Sequence, residues 1–283
     1  MTKFKKREIA YKLIKSLNND INSLSVTLTG SYSQHFNHEK VGDIDIVIIC
    51  KKLDKDFFNK CVLKIKDLKK KYFDKKKNLI INSTFGPIKF YKKNSIVFHL
   101  MIYDLKSHIN HTINSPFTCY DWERSKIYVG KSLKDLSPVR TLQFRDFSEA
   151  RRGTKEYLDD IYKDRISYRE YEFKNKKVKL KKKYFKIDRV NRRDFIYHII
   201  KFLLVNYIKY EKQINIIINE KKINEKFFEI FKNKSELTQF IKLKNFKNQK
   251  SISSIKNPKK LVLNFINKFD KYIKNENKVP KIY

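Results

Sequence analysis

Two hydrophobic periods alternate along the first part of the chain. "SVTLTG" (residues 25–30) and "DIDIVIIC" (43–50) alternate or run continuously apolar and are rich in β-branched residues, which predicts two strands. Residues 54–73, "DKDFFNKCVLKIKDLKKKYF", instead repeat apolar positions at three and four, the spacing of one helix face. "NLIINST" and "NSIVFHLMIYD" read as two further strands, and "GPIKFYKK" between them as a turn with an edge strand. At the start, Phe4, Ile9, Leu13 and Ile14 fall on one stripe of an amphipathic helix.

From about residue 140 the helical period takes over. "FSEARRGTKEYLDDIYKDR", "RRDFIYHIIKFLLVNYIKY" and "KKLVLNFINKFDKYIK" predict long helices, while the Lys-dense "EYEFKNKKVKLKKKYFKIDR" reads as a solvated loop or exposed hairpin. The expected fold is α+β: a small mixed β-sheet with flanking helices over residues 1–140, then a helical bundle over 141–283.

Composition changes this picture little. The chain has 283 residues, 41% of them hydrophobic and 14% aromatic, enough to build a core. Its 66 Lys and Arg against 30 Asp and Glu give a formal charge of +36, which points to RNA or another polyanion as partner. AT-rich codon usage explains the same lysines, because Asn, Ile, Phe and Tyr are abundant too. Cys50, Cys61 and Cys119 lack metal or disulfide spacing, and neither a signal-peptide core nor a membrane-length apolar run occurs. A cytoplasmic protein is expected.

The chemistry concentrates in "LTGSYSQHFNHEKVGDIDIVIIC", residues 28–50. In a strand, Asp43 and Asp45 point to one face while Ile44 and Ile46 point to the other. Two carboxylates so close need something positive between them, a basic side chain or a divalent ion. Gly30 permits a tight bend and Ser31 supplies a hydroxyl and an amide for phosphate oxygens. A phosphate cradle beside hard oxygen ligands is the equipment of phosphoryl chemistry.

A Gly-Ser pair followed by Asp-x-Asp on the next strand resembles the polymerase-β-like nucleotidyltransferase superfamily, over about the first 105 residues. That resemblance implies transfer of a nucleoside monophosphate from a nucleoside triphosphate to an acceptor hydroxyl. It also implies two Mg2+ ions, with Mn2+ as a substitute, held by Asp43 and Asp45. The family draws a third carboxylate from a neighbouring strand, here "SIVFHLMIYD", and this chain departs from the pattern. Strand parity puts His99 in that slot with Val97, Met101 and Tyr103, whereas Asp104 sits at the strand end on the opposite parity. His99 can serve as a metal ligand or as a base. Asp104 needs a bulge to reach the site. In the second half, Arg192 and Arg193 are candidates for binding the triphosphate.

Three further readings compete. Lacking the third acid, the domain can be a catalytically silent fold that grips nucleic acid. Arg193 to His198, "RDFIYH", resembles the motif of HEPN-type ribonucleases. Trp122, in "SPFTCYDWERS", is either a stacking platform for a base or part of a core.

Overall fold

A computed structural model describes residues 3–35, 43–86, 94–174, 177–245 and 257–276. Its elements begin with α1 (Lys3–Asn18), β1 (Ser23–Thr29), the single turn α2 (Tyr32–His35), β2 (Ile44–Cys50) and α3 (Lys55–Tyr72). There follow β3 (Asn78–Asn82), β4 (Ser95–Asp104), α4 (Leu105–Asn114), α5 (Pro116–Glu123), β5 (Tyr128–Gly130) and α6 (Leu133–Leu136). The remainder comprises α7 (Phe144–Tyr162), the strands β6 (Arg165–Lys174) and β7 (Lys177–Lys186), and the helices α8 (Arg189–Lys212), α9 (Glu220–Phe231), α10 (Lys234–Asn245) and α11 (Pro258–Glu276). The edge strand expected within "GPIKFYKK" lies, from residue 87, outside the described residues.

Five strands form a mixed sheet in the order β3-β4-β2-β1-β5. The pairs β2–β4 and β3–β4 are parallel; β1 pairs antiparallel with β2 and with β5. Both faces are covered, which is why "IVIIC" is apolar without alternation. One face presents Leu28, Ile46, Ile48, Leu100 and Ile102 to Leu13, Ile14 and Leu17 of α1 and to Phe57, Cys61, Ile65 and Leu68 of α3. Burying each of those aliphatic chains contributes roughly 1.5–3 kcal/mol. Helix α3 starts where it does because the Asp54 carboxylate accepts the Phe57 amide at 3.0 Å, an N-cap worth about 1 kcal/mol. The opposite face carries Val47, Ile49, Met101 and Tyr103 against Cys119, Trp122 and Leu133.

Two compact units divide the chain: Met1–Thr141 with Ser167–Tyr184, and Leu142–Ile166 with Phe185–Tyr283. The segment Ser167–Tyr184 lies beyond residue 140 in the chain and groups with the first unit. Most of the lysine-rich hairpin β6–β7 belongs to the sheet unit, where Tyr171 and Phe173 pack beside Phe58. Beyond the end of β3, the Tyr171 hydroxyl takes up the free backbone of β4: the Ile102 amide donates to it at 2.8 Å and it donates to the Ile102 carbonyl. The lysines of β7 from Lys179 to Lys186 stay exposed while its neighbours' aromatic rings anchor the hairpin.

The second unit is helical. Helix α8 is buried along most of its length, through Ile196, Ile200, Leu203, Leu204 and Tyr207. A column of rings, Phe231, Phe227 and Phe240, stacks at centroid distances of 4.5 and 4.7 Å. Among the described residues no helix is long and apolar enough to cross a membrane.

Candidate active site

The sheet register lines four polar side chains across four strands. Thr29 on β1 pairs with Asp45 on β2, Asp45 with His99 on β4, and His99 with Asn82 on β3. Directly paired residues share a face, so this row is the polar end of the face whose other end is the Val47, Met101 and Tyr103 cluster. Asp43 precedes β2 by one residue and has the parity of Asp45. Among the described residues, Asp43, Asp45 and His99 form a group whose potential ligand atoms all lie within 4.8 Å of one another. All three are partly buried, where a charge is costlier than in water but still reachable by a ligand.

Gly30 makes room for this group. It adopts φ +66°, and a Cβ built there would stand 2.1 Å from Asp45 Oδ2. The glycine bend and the carboxylate thus occupy adjoining space. Ser31 is exposed at the bend and Ser33 Oγ donates to the Gly30 carbonyl at 2.7 Å, closing the turn that starts α2.

His99 is held at both ring nitrogens. Nε2 lies 2.8 Å from the Thr84 carbonyl oxygen, which can only accept, so Nε2 carries a proton. Nδ1 faces Asp45 Oδ1 at 3.0 Å. Burial opposes charge on this ring, but hydrogen bonding and charge from Asp45, the Thr84 carbonyl and the Asp43 charge outweigh it, raising the histidine pKa above its ordinary value. A proton on Nδ1 is one way to answer the repulsion between the acids, and a metal ion is the other. The donor set fits an ion: two hard carboxylates and one imidazole, with Nδ1 and Oδ1 about as far apart as adjacent ligands at roughly 2.1 Å from one centre.

The surroundings of His99 lie outside the motif. Asn82 Oδ1 accepts from the Thr84 hydroxyl at 2.6 Å and from the Thr84 amide at 3.1 Å, fixing the carbonyl that His99 uses. Phe85 exchanges two backbone hydrogen bonds of 2.8 Å with Arg169 of β6, so the hairpin clamps the same segment. Thr29 is 2% exposed, and its hydroxyl makes no hydrogen bond among the described residues. An Asn followed by two hydroxyl residues, "NST", is an Asx-turn signal that could have marked Asn82 and Thr84. Nothing local marks Arg169 or Thr29.

Within the sheet unit, Asp104 falls elsewhere. Asp104 pairs with Cys50, five positions along the strands from the His99–Asp45 pair, or about 16 Å at the usual rise. It caps α4, accepting the Ser107 amide at 2.7 Å, so no bulge carries it to the acids. Arg192 and Arg193 belong to the second unit, where Arg192 is paired with Asp164 and Arg193 is 2% exposed. The neighbouring apolar residues of α8, Phe195, Ile196 and Ile200, are core. In the segment that carries the ribonuclease-like motif, Arg193 is buried, and His198 lies 3.5 Å from Asp194. Trp122 is a core residue, tilted against Tyr103 and His111.

Paired carboxylates and an imidazole beside a glycine bend, at the end of a mixed sheet, are a donor set that could hold a metal ion. Residues 10–103 match the family model described as "Nucleotidyltransferase domain", and this part of the chain is a polymerase-β-like nucleotidyltransferase domain. No match was found among curated proteins or among solved structures.

Proposed function

We propose that the sheet unit transfers a nucleoside monophosphate from a nucleoside triphosphate to an acceptor hydroxyl. The observation that carries this reading is the convergence of Asp43, Asp45 and His99 beside Gly30 within the segment that matches the nucleotidyltransferase family. In the reaction the acceptor oxygen bonds to the α-phosphorus, the bond to the bridging oxygen breaks, pyrophosphate leaves, and the hydroxyl proton passes to solvent. A divalent ion, magnesium or manganese, would be held by Asp43 and Asp45 and would supply charge neutralisation of the triphosphate and acidification of the attacking hydroxyl.

The chain's own residues orient these parts. Gly30 allows the bend to approach the carboxylates, and Ser31 offers its amide and hydroxyl to phosphate oxygens. Asp43 and Asp45 present oxygens on one face because Ile44 points into the core. His99 stands where the family has an acid, in register with Asp45. The formal charge of +36 suits RNA or another polyanion as the acceptor.

The missing acid also favours a second reading, a silent domain that holds nucleic acid. Incubation with α-labelled nucleoside triphosphates, magnesium or manganese, and RNA or protein acceptors separates the two. Label transfer by the native chain and its loss in Asp43→Asn support the enzyme. Absence of both transfer and nucleotide-dependent thermal protection overturns it, and metal-independent, strongly salt-dependent RNA binding then supports the silent fold.

A further inference from the structure

We propose that Asp43, Asp45 and His99 form a two-carboxylate, one-imidazole site that takes a divalent transition ion of the manganese or cobalt class in preference to magnesium. The inference rests on the nucleotidyl-transfer reading and concerns which ion that centre selects. Its starting point is the tautomer of His99. Since the Thr84 carbonyl holds the Nε2 proton at 2.8 Å, the lone pair available for coordination is on Nδ1, the nitrogen turned toward Asp45.

That orientation is built in. A ligating imidazole characteristically donates its other N–H to a carbonyl or carboxylate, which fixes the ring and raises its basicity. Here the carbonyl is itself held by Asn82 Oδ1 through the Thr84 amide and hydroxyl, and by the paired backbone of Phe85 and Arg169. Asn82 is 3% exposed and Thr84 7%, so water competes little for these contacts. On the other side of the row, the Thr29 hydroxyl is buried in register with Asp45 and makes no hydrogen bond among the described residues, leaving a polar atom for a ligand or its water.

Such a donor set discriminates between ions. Magnesium prefers oxygen and exchanges its waters reluctantly. Imidazole nitrogen shifts preference toward first-row transition ions, which bind N and O donors more tightly along the usual series. A carboxylate in the place of His99 would return the site to all-oxygen character.

Titration of the whole chain with manganese, followed by the paramagnetic signal of the free ion, and competition with magnesium test this. Native protein should bind manganese at least about tenfold more tightly than magnesium. His99→Asp should bring the two ions within about threefold, and Asn82→Ala should weaken manganese roughly tenfold or more while changing magnesium little. Thermal unfolding of each variant verifies that it is folded. An unchanged manganese-to-magnesium ratio in His99→Asp overturns the proposal. If both ions bind equally in the native chain and Asp45→Asn abolishes both, ion selection by His99 is wrong while nucleotidyl transfer stands. If no ion binds even with a non-hydrolysable nucleoside triphosphate, both readings fall.

Discussion

Two histidines on the same side of one sheet meet opposite fates. His99, on β4, sits among Asp45, Asp43 and the Thr84 carbonyl, and its pKa is raised despite burial. His111, on the following helix α4, stacks on Tyr103 at 5.2 Å and tilts against Trp122 at 5.2 Å. Burial drives its pKa down to about 4, with the neighbouring His108 adding to the effect. The difference is in the partners: one ring has carboxylates within reach and the other has aromatic faces. An acid is present at that end too, but Asp104 is engaged as the cap of α4. A residue type therefore carries chemistry only where the register supplies its counterpart.

The largest test of this contrast is Asp45→Asn. Replacing the carboxylate should reduce nucleotidyl transfer by roughly a thousandfold, about 4 kcal/mol in the barrier, with the unfolding midpoint shifted by only a few degrees. Label transfer and thermal melting read the two quantities separately.

Next comes acid. Between its folded value of about 4 and its ordinary 6.5, His111 refuses a proton that the unfolded chain accepts. Its contribution to stability is complete above about pH 6.5 and declines as pH falls toward 4, by up to about 3 kcal/mol. Urea melts at pH 7 and 4.5 should show this loss, reduced in His111→Phe. For His99 the sign is reversed: its ion pair with Asp45 stabilises the ion-free protein below pH 6.5, and that support is lost as pH rises through the raised value.

Gly30→Ala should cost about 2 kcal/mol, from a positive φ and from a Cβ placed 2.1 Å from Asp45 Oδ2. Because the carboxylate must move, ion binding should weaken along with stability, as calorimetric titration would report. The smallest effect belongs to Asp104→Ala, about 1 kcal/mol from a lost helix cap, with ion binding unchanged. Asp104→Asn should recover most of that loss.

Much of this was legible locally. The bend at Gly30, the strand after it and the shared face of Asp43 and Asp45 follow from residue types and a period of two, and parity alone puts His99 on the side of Val97, Met101 and Tyr103. Asp104 shows the limit of parity: an acid at a strand end can equally start the next helix, and Ser107 three residues on receives that use. Arg192 and Arg193 show a different limit. Charge is read from sequence as exposure, but α8 is buried along most of its length, and an arginine with a partner can be enclosed. The clamp on Thr84 was illegible because Arg169 lies far along the chain and reaches Phe85 only through the folded hairpin.

Crystals grown with manganese and a non-hydrolysable nucleoside triphosphate would test the central claim most directly through the anomalous signal of the ion. A peak bound by Asp43, Asp45 and His99 Nδ1, with the triphosphate against Gly30 and Ser31, is the predicted result. An ion bound elsewhere, or a His99–Asp45 contact left intact with no ion beside it, would contradict the account.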